Sequence, residues 1–152
     1  MTMTGNNEET LRDKRVSYLD LSMFIQDHGG NINEDLAELW RRIAFNIAIS
    51  NTDDHLRNHG FLIEKGSWRL SPAYDVNPSI DKEELALNID ENSGTLDFDL
   101  SLSVSEYFRL NPKEAQVILR KVIQAVSNWE KIAKQIGIPR SEIETMRPAF
   151  RF

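Results

Sequence analysis

The sequence of 152 residues contains no cysteine, so disulfides, thiol catalysis and cysteine-ligated zinc are excluded. It has three histidines, His28, His55 and His59, so any metal site has to rely on carboxylates. No apolar run approaches the ~18–20 residues that span a membrane, and the polar, acidic start does not resemble a secretory signal. We therefore expect a soluble, cytoplasmic protein without membrane contact.

Basic residues are outnumbered, with 18 Lys and Arg against 24 Asp and Glu, which gives a formal net charge of −6. Nucleic-acid binding depends on cationic contacts with phosphate, so we expect no direct binding of nucleic acid. Hydrophobic residues make up 40% and charged residues 28%, which is typical of a globular protein. The length fits one ordinary domain.

Hydrophobic spacing predicts a mainly helical chain. Residues 1–17 are polar and are predicted to form a flexible N-terminal arm, followed by a folded domain over 18–152. From Tyr18 onward, apolar residues recur at three- and four-residue intervals until Gly29-Gly30, which stops the first helix. Further helices are predicted over about 34–50, 98–108 and 112–135, with a last short helix opened by a capping box at Ser141–Glu144.

A small β-hairpin is predicted over residues 60–71, with Lys65-Gly66 as its turn. Two prolines make residues 71–78 a loop. Alternating apolar residues over 85–89 are consistent with another strand. The predicted fold class is mainly α with a small β-hairpin.

Polar residues that could take part in catalysis or metal binding cluster between the buried second helix and the loop after the hairpin. Asp53 and Asn58 stand five apart, and Asp75 follows across the hairpin. Phosphoryl transfer uses these residue types in this order: one carboxylate orients the acceptor hydroxyl, and an Asn and a second carboxylate hold Mg²⁺. Mg²⁺ prefers oxygen ligands. The hairpin would return Asn58 and Asp75 to one place.

Spacing alone leaves other interpretations open. Asp and Asn that follow a helix often serve only as caps and turn formers. His55 and His59, four residues apart, could ligate a transition metal if the segment were helical. Against a zinc site, no Glu follows His55 as in the H-E-x-x-H motif, and Gly60 would break the helix at once.

Two blocks of sequence resemble a known family. Residues 51–61 (NTDDHLRNHGF) and 68–78 (WRLSPAYDVNP) are similar to the C-terminal catalytic region of HipA-like serine/threonine kinases, the toxins of bacterial toxin–antitoxin modules. Both blocks occur in order at the family's spacing, and the resemblance extends over nearly the whole chain. It implies a protein-kinase-like C-terminal lobe.

The resemblance also implies roles for individual residues. Asp53 would be the catalytic residue, and Asn58 and Asp75 would bind Mg²⁺. Asp54 and His55 would have supporting roles. The implied cofactors are Mg²⁺ and ATP, the implied substrate is a Ser or Thr of a protein acting in translation, and the implied partner is a DNA-binding antitoxin.

The chain departs from the family by what it does not contain. Full-length members carry an N-terminal lobe with a phosphate-covering loop and a nucleotide-binding Lys, and no segment here matches either feature. We therefore expect a fragment without the N-terminal kinase lobe, inactive by itself as a kinase. The alternative is a non-catalytic protein-interaction domain that keeps this fold and binds a partner through residues 112–150.

Overall fold

The computed structural model describes residues 16–152, and helices make up most of this part of the chain. None of these helices combines the length and the apolar character that crossing a membrane requires. The helices are α1 (Tyr18–His28), α2 (Ile32–Ala48), α3 (Phe98–Ser103), α4 (Pro112–Val126), α5 (Trp129–Gln135) and α6 (Arg140–Met146), with 3-10 turns at Leu56–Asn58, Ser105–Phe108 and Arg147–Ala149. The prediction of a mainly helical chain is confirmed.

The first helix starts from a capping box. The Ser17 hydroxyl accepts a hydrogen bond from the Leu19 amide at 2.8 Å, and the Asp20 carboxylate accepts one from the Ser17 amide at 3.0 Å. Val16 and Ser17 are both buried. These two residues of the predicted arm thus belong to the folded part, while residues 1–15 lie outside the described residues.

Helix α2 is the centre of the packing and contacts α1, α3 and α4. Trp40, Ile43 and Ile47 have no exposed surface, because the apolar residues of α2 recur at the spacing of one helical face. The indole Nε1 of Trp40 donates a hydrogen bond to the carbonyl oxygen of Ser101 at 2.9 Å, which ties α2 to α3. The helix therefore gives the loop that follows it a rigid origin.

The hairpin forms where it was predicted. Strands β1 (Phe61–Glu64) and β2 (Ser67–Leu70) pair antiparallel, with Phe61 opposite Leu70. Lys65 and Gly66 both have left-handed backbones, with φ of 50° and 82°, as a type I′ turn requires. The buried Asp35 on α2 accepts a hydrogen bond from the Leu70 amide at 3.0 Å, which fixes the hairpin to the helical core.

The prediction of a strand over residues 85–89 was wrong. Leu85, Leu87 and Ile89 are buried, so the alternation is real, but the segment forms isolated bridges rather than a strand. An extended segment lying along a core gives the same alternation without a partner strand. The segment thus covers one side of the helical core.

The helix predicted over 112–135 is interrupted at residues 127–128. The Ser127 hydroxyl and the side-chain Nδ2 of Asn128 both donate to the backbone carbonyl oxygen of Gln124, at 3.0 and 2.8 Å. Such local hydrogen bonds compete with helix continuation. The prediction of a capping box at Ser141 was also wrong, because α6 begins at Arg140, directly after Pro139, and has no side-chain cap.

Candidate functional site

The candidate residues lie on a tight turn that leaves α2. The helix ends at Ala48, and Ser50, two residues later, has a φ of 51° that turns the chain out of the helical direction. The Asn51 amide donates back to the carbonyl oxygen of Asn46 at 2.8 Å. Farther on, the Asn58 amide donates to the carbonyl oxygen of His55 at 2.8 Å and closes a short 3-10 turn. The segment is thus held by its own backbone between α2 and β1.

The adjacent carboxylates Asp53 and Asp54 lie in opposite environments. Asp53 is exposed to solvent, whereas Asp54 is only 3% exposed. Asn58 is buried, and His55 is half-buried with its Nδ1 atom enclosed and unpaired within residues 16–152. Of the two neighbouring carboxylates, Asp53 is therefore the one that a large substrate can reach.

The Asp54 carboxylate is the centre of a buried polar cluster, whose members are Tyr18, Asn46, Asp54 and His59. Its Oδ2 accepts from the Tyr18 hydroxyl at 2.5 Å and from Asn46 Nδ2 at 2.8 Å. His59 Nε2 lies 2.9 Å from the same oxygen. The four side chains come from α1, α2 and the turn, so the cluster joins three parts of the fold.

Tyr18 stays protonated in this environment. Burial raises the pKa of its hydroxyl well above 10.0, and the negative charge of Asp54 raises the pKa further. A neutral Tyr18 can donate its proton to the carboxylate, as the short oxygen–oxygen distance indicates.

The raised pKa of Tyr18 predicts a loss of stability at alkaline pH. The unfolded state releases the tyrosine proton near pH ~10, whereas the folded state keeps it. The contribution of Tyr18 is thus fully present below that pH and is lost as the pH rises through the folded-state pKa. Urea unfolding from about pH 9 to 11 should show a steeper fall in the free energy of unfolding for the natural chain than for Tyr18→Phe. Parallel curves would contradict this explanation.

Asp75 lies in the exposed loop after β2. Its backbone is left-handed, with φ of 54°, and its Oδ1 accepts from Asn77 Nδ2 at 3.0 Å. The preceding residue fixes this loop to the turn, because the Tyr74 hydroxyl donates to the carbonyl oxygen of Arg57 at 2.7 Å. The segments that carry Asn58 and Asp75 are therefore joined directly.

A cavity of about 350 Å³ opens beside these two segments, between α2 and α4. Asn58 lines it, and so do Tyr74 and Val76 on either side of Asp75, whereas Asp53 and Asp75 do not. Cationic residues also line it: Arg41, Arg42 and Lys121. The two blocks of the sequence that point to phosphoryl transfer thus share one cavity.

The donor chemistry of Asn58 and Asp75 fits Mg²⁺, because carboxylate and amide oxygens are the hard ligands that this ion takes. The geometry for a zinc pair is not formed, since residues 55–59 contain a three-residue 3-10 turn instead of an α-helix. Within residues 16–152, no group of three or more His, Cys, Asp or Glu side chains is arranged to hold a metal ion.

Sequence reasoning missed the buried cluster. The residue types and their spacing point to no site role for Tyr18 and Asn46, and to His59 only as a possible zinc ligand. Both Tyr18 and Asn46 lie on the buried faces of their helices, and a polar group at such a position needs a buried partner. That signal indicates that a partner exists but does not identify it.

Comparisons with known proteins place the chain in a family. The model of a family described as HipA-like C-terminal domain matches residues 1–130. A curated protein of Haemophilus influenzae, named "Putative kinase", is 28% identical over 161 aligned residues, which cover 91% of this chain and 47% of that protein. The chain thus spans about half the length of this relative.

Proposed function

Because this chain belongs to the family of HipA-like C-terminal domains, we propose that it is the C-terminal catalytic lobe of a protein kinase. Within a longer protein it would transfer the γ-phosphoryl group of ATP to Ser or Thr of a protein. The name of the Haemophilus influenzae relative supports a kinase. The protein substrate, acting in translation, and the DNA-binding antitoxin are proposals that follow from the family resemblance.

The observation that carries the proposal is the hydrogen bond from Tyr74 to Arg57. Kinases hold their metal ions with an Asn of the catalytic loop and an Asp of a second loop, so the two loops have to be brought together. Here the residue before Asp75 is bonded to the residue before Asn58. Caps or turn formers that act independently would not need this connection.

The three site residues would divide the reaction between them. Asp53 would orient the acceptor hydroxyl and take up its proton as the oxygen bonds to the γ-phosphorus and the bond to the β-phosphate oxygen breaks, releasing ADP. Asn58 and Asp75 would hold Mg²⁺, which supplies charge neutralisation at the phosphates when bound. The exposure of Asp53 suits contact with a protein substrate.

We expect the chain alone to bind Mg²⁺ but not to phosphorylate proteins. Phosphoryl transfer depends on positioning, and no segment of the sequence matches the loop and the Lys that clamp the nucleotide in family members. In an NMR titration with Mg²⁺ and then Mg·ATP, amide shifts should be confined to the segments around Asp53, Asn58 and Asp75. A phosphorylation assay with radiolabelled ATP should show no transfer above the background of the protein-free mixture.

The control variants keep the shape of the side chain and remove its charge. Asp75→Asn should suppress the shifts, whereas Asp99→Asn, at an exposed position on α3, should leave them unchanged. Absence of shifts in the natural chain at millimolar Mg²⁺ would contradict a pre-formed metal site. Efficient phosphorylation by the chain alone would contradict the need for a second lobe.

The alternative is a non-catalytic interaction domain. An apolar groove near the C-terminal helices favours it, because Trp129 and Phe150 line the groove together with Ile132 and Ile136, which are 51% and 71% exposed. Under this alternative the motif residues are structural, and Mg²⁺ should produce no localised shifts. The same titration therefore separates the two functions.

A further inference from the structure

The two residues that follow the proposed catalytic and metal-binding residues are in contact with each other. Asp54 comes directly after Asp53, and His59 comes directly after Asn58. The Oδ2 atom of Asp54 and the Nε2 atom of His59 are 2.9 Å apart, and both side chains are more than nine-tenths buried. The contact therefore closes the base of the turn whose two ends carry Asp53 and Asn58.

The pair is anchored from outside the turn. Tyr18 on α1 and Asn46 on α2 donate to the same Oδ2 atom that faces His59. The side chain of Asn46 is held in turn, because its Oδ1 accepts from Asn51 Nδ2 at 3.0 Å. Three donors on one oxygen leave the Asp54 carboxylate little freedom to rotate, so the turn has one orientation on the helical core.

From this geometry we infer that Asp54 and His59 form a positioning pair, which sets the separation and orientation of Asp53 and Asn58. Both side chains also line the cavity, and we assign them to holding the turn rather than to binding the metal ion. The catalytic meaning of the inference rests on the proposed kinase function, whereas its structural content concerns the turn alone.

The chemistry of the pair suits this role. A carboxylate oxygen accepts hydrogen bonds, so the hydrogen of this contact is on Nε2 of His59. The contact fixes the orientation of the imidazole ring. The ring of Tyr18 meets that of His59 edge to face, with centroids 5.8 Å apart. Displacements of about 1 Å in a catalytic group can reduce rates about a hundredfold, so a rigid base to this turn has functional value.

The test compares two replacements of His59 in the natural chain. His59→Leu keeps an apolar volume but removes the donor, whereas His59→Gln offers a donor near the position of Nε2. Without metal, the backbone order parameters of Asp53 and Asn58 should fall from ~0.85 to below ~0.6 in His59→Leu and stay high in His59→Gln. With Mg²⁺, His59→Leu should bind about 10–100-fold more weakly, and His59→Gln should restore most of the affinity.

Ile143→Ala is the matched control for a loss of stability alone, because Ile143 is buried on α6 and has no bond to the cluster. It should leave both the order parameters and the Mg²⁺ affinity unchanged. If His59→Leu does not fold, His59→Asn, whose amide is too short to reach Asp54, replaces it.

The two readouts separate the two proposals. Unchanged order parameters in a folded variant that lacks the donor would overturn the positioning pair, whatever the metal does. If the natural chain binds no Mg²⁺ but the order parameters fall as expected, the pair positions the turn and the metal-site proposal fails instead.

Discussion

Replacing Asp54 with Ala should lower the free energy of unfolding by about 3–5 kcal/mol, whereas Asp53→Ala should change it by less than about 0.5 kcal/mol. Asp54→Ala removes the acceptor of three buried donors, on Tyr18, Asn46 and His59. A buried donor left unpaired costs about 1–3 kcal/mol. Asp53 is exposed, so in Asp53→Ala water takes the place of the carboxylate and no buried donor is left unpaired.

Urea unfolding followed by tryptophan fluorescence would measure both variants against the natural chain. The two variants are matched, because each replaces an Asp by Ala at neighbouring positions and both are measured in the same assay. A loss of about 0.5–2 kcal/mol for Asp53→Ala would instead support a structural cap at this position. Equal values for the two variants would contradict the buried cluster.

Replacing Trp40 with Ala should cost about 3–5 kcal/mol, as is typical for a large aromatic residue in a core. Its side chain has no exposed surface, and its indole N–H is the partner of the Ser101 carbonyl oxygen. The substitution leaves a cavity in the core beside α2 and leaves the Ser101 carbonyl oxygen on α3 without its donor. Chemical denaturation monitored by circular dichroism would give the difference in the free energy of unfolding between Trp40→Ala and the natural chain.

Two further variants define the origin of this loss. Trp40→Phe keeps most of the apolar volume but removes the donor, so it should cost about 1–3 kcal/mol. Trp129→Ala should cost less than Trp40→Ala, because Trp129 is half-buried and stacks on Phe150 at the surface with centroids 3.9 Å apart. If Trp129→Ala were the more damaging change, the core would not be centred on α2.

The elements that sequence reasoning predicted correctly are those with local causes. The helix predicted from residue 112 begins with a capping box, in which Asn111 accepts from the amides of Lys113 and Glu114. The hairpin follows from the turn chemistry of Lys65 and Gly66. In both cases residues no more than a few positions apart fix the conformation.

The strand predicted over 85–89 and the missed buried cluster both depend on distant partners. A local pattern cannot distinguish a strand from an extended segment that packs on helices, and residues 85–89 show this. The buried cluster joins Tyr18 to Asp54 across 36 positions. For the site itself, the sequence indicated which residues to consider but not that Asp54 is enclosed while Asp53 is exposed.

The left-handed backbone of Asp75 affects how substitutions there should be interpreted. Asp, Asn and Gly tolerate this conformation, whereas other side chains meet a steric penalty of about 1–2 kcal/mol. An alanine scan at this position therefore mixes a conformational penalty with the loss of a carboxylate. Asparagine removes the charge and keeps the backbone, and glycine removes the side chain without strain. A comparison of these two replacements assigns a defect to chemistry or to conformation, which alanine cannot do.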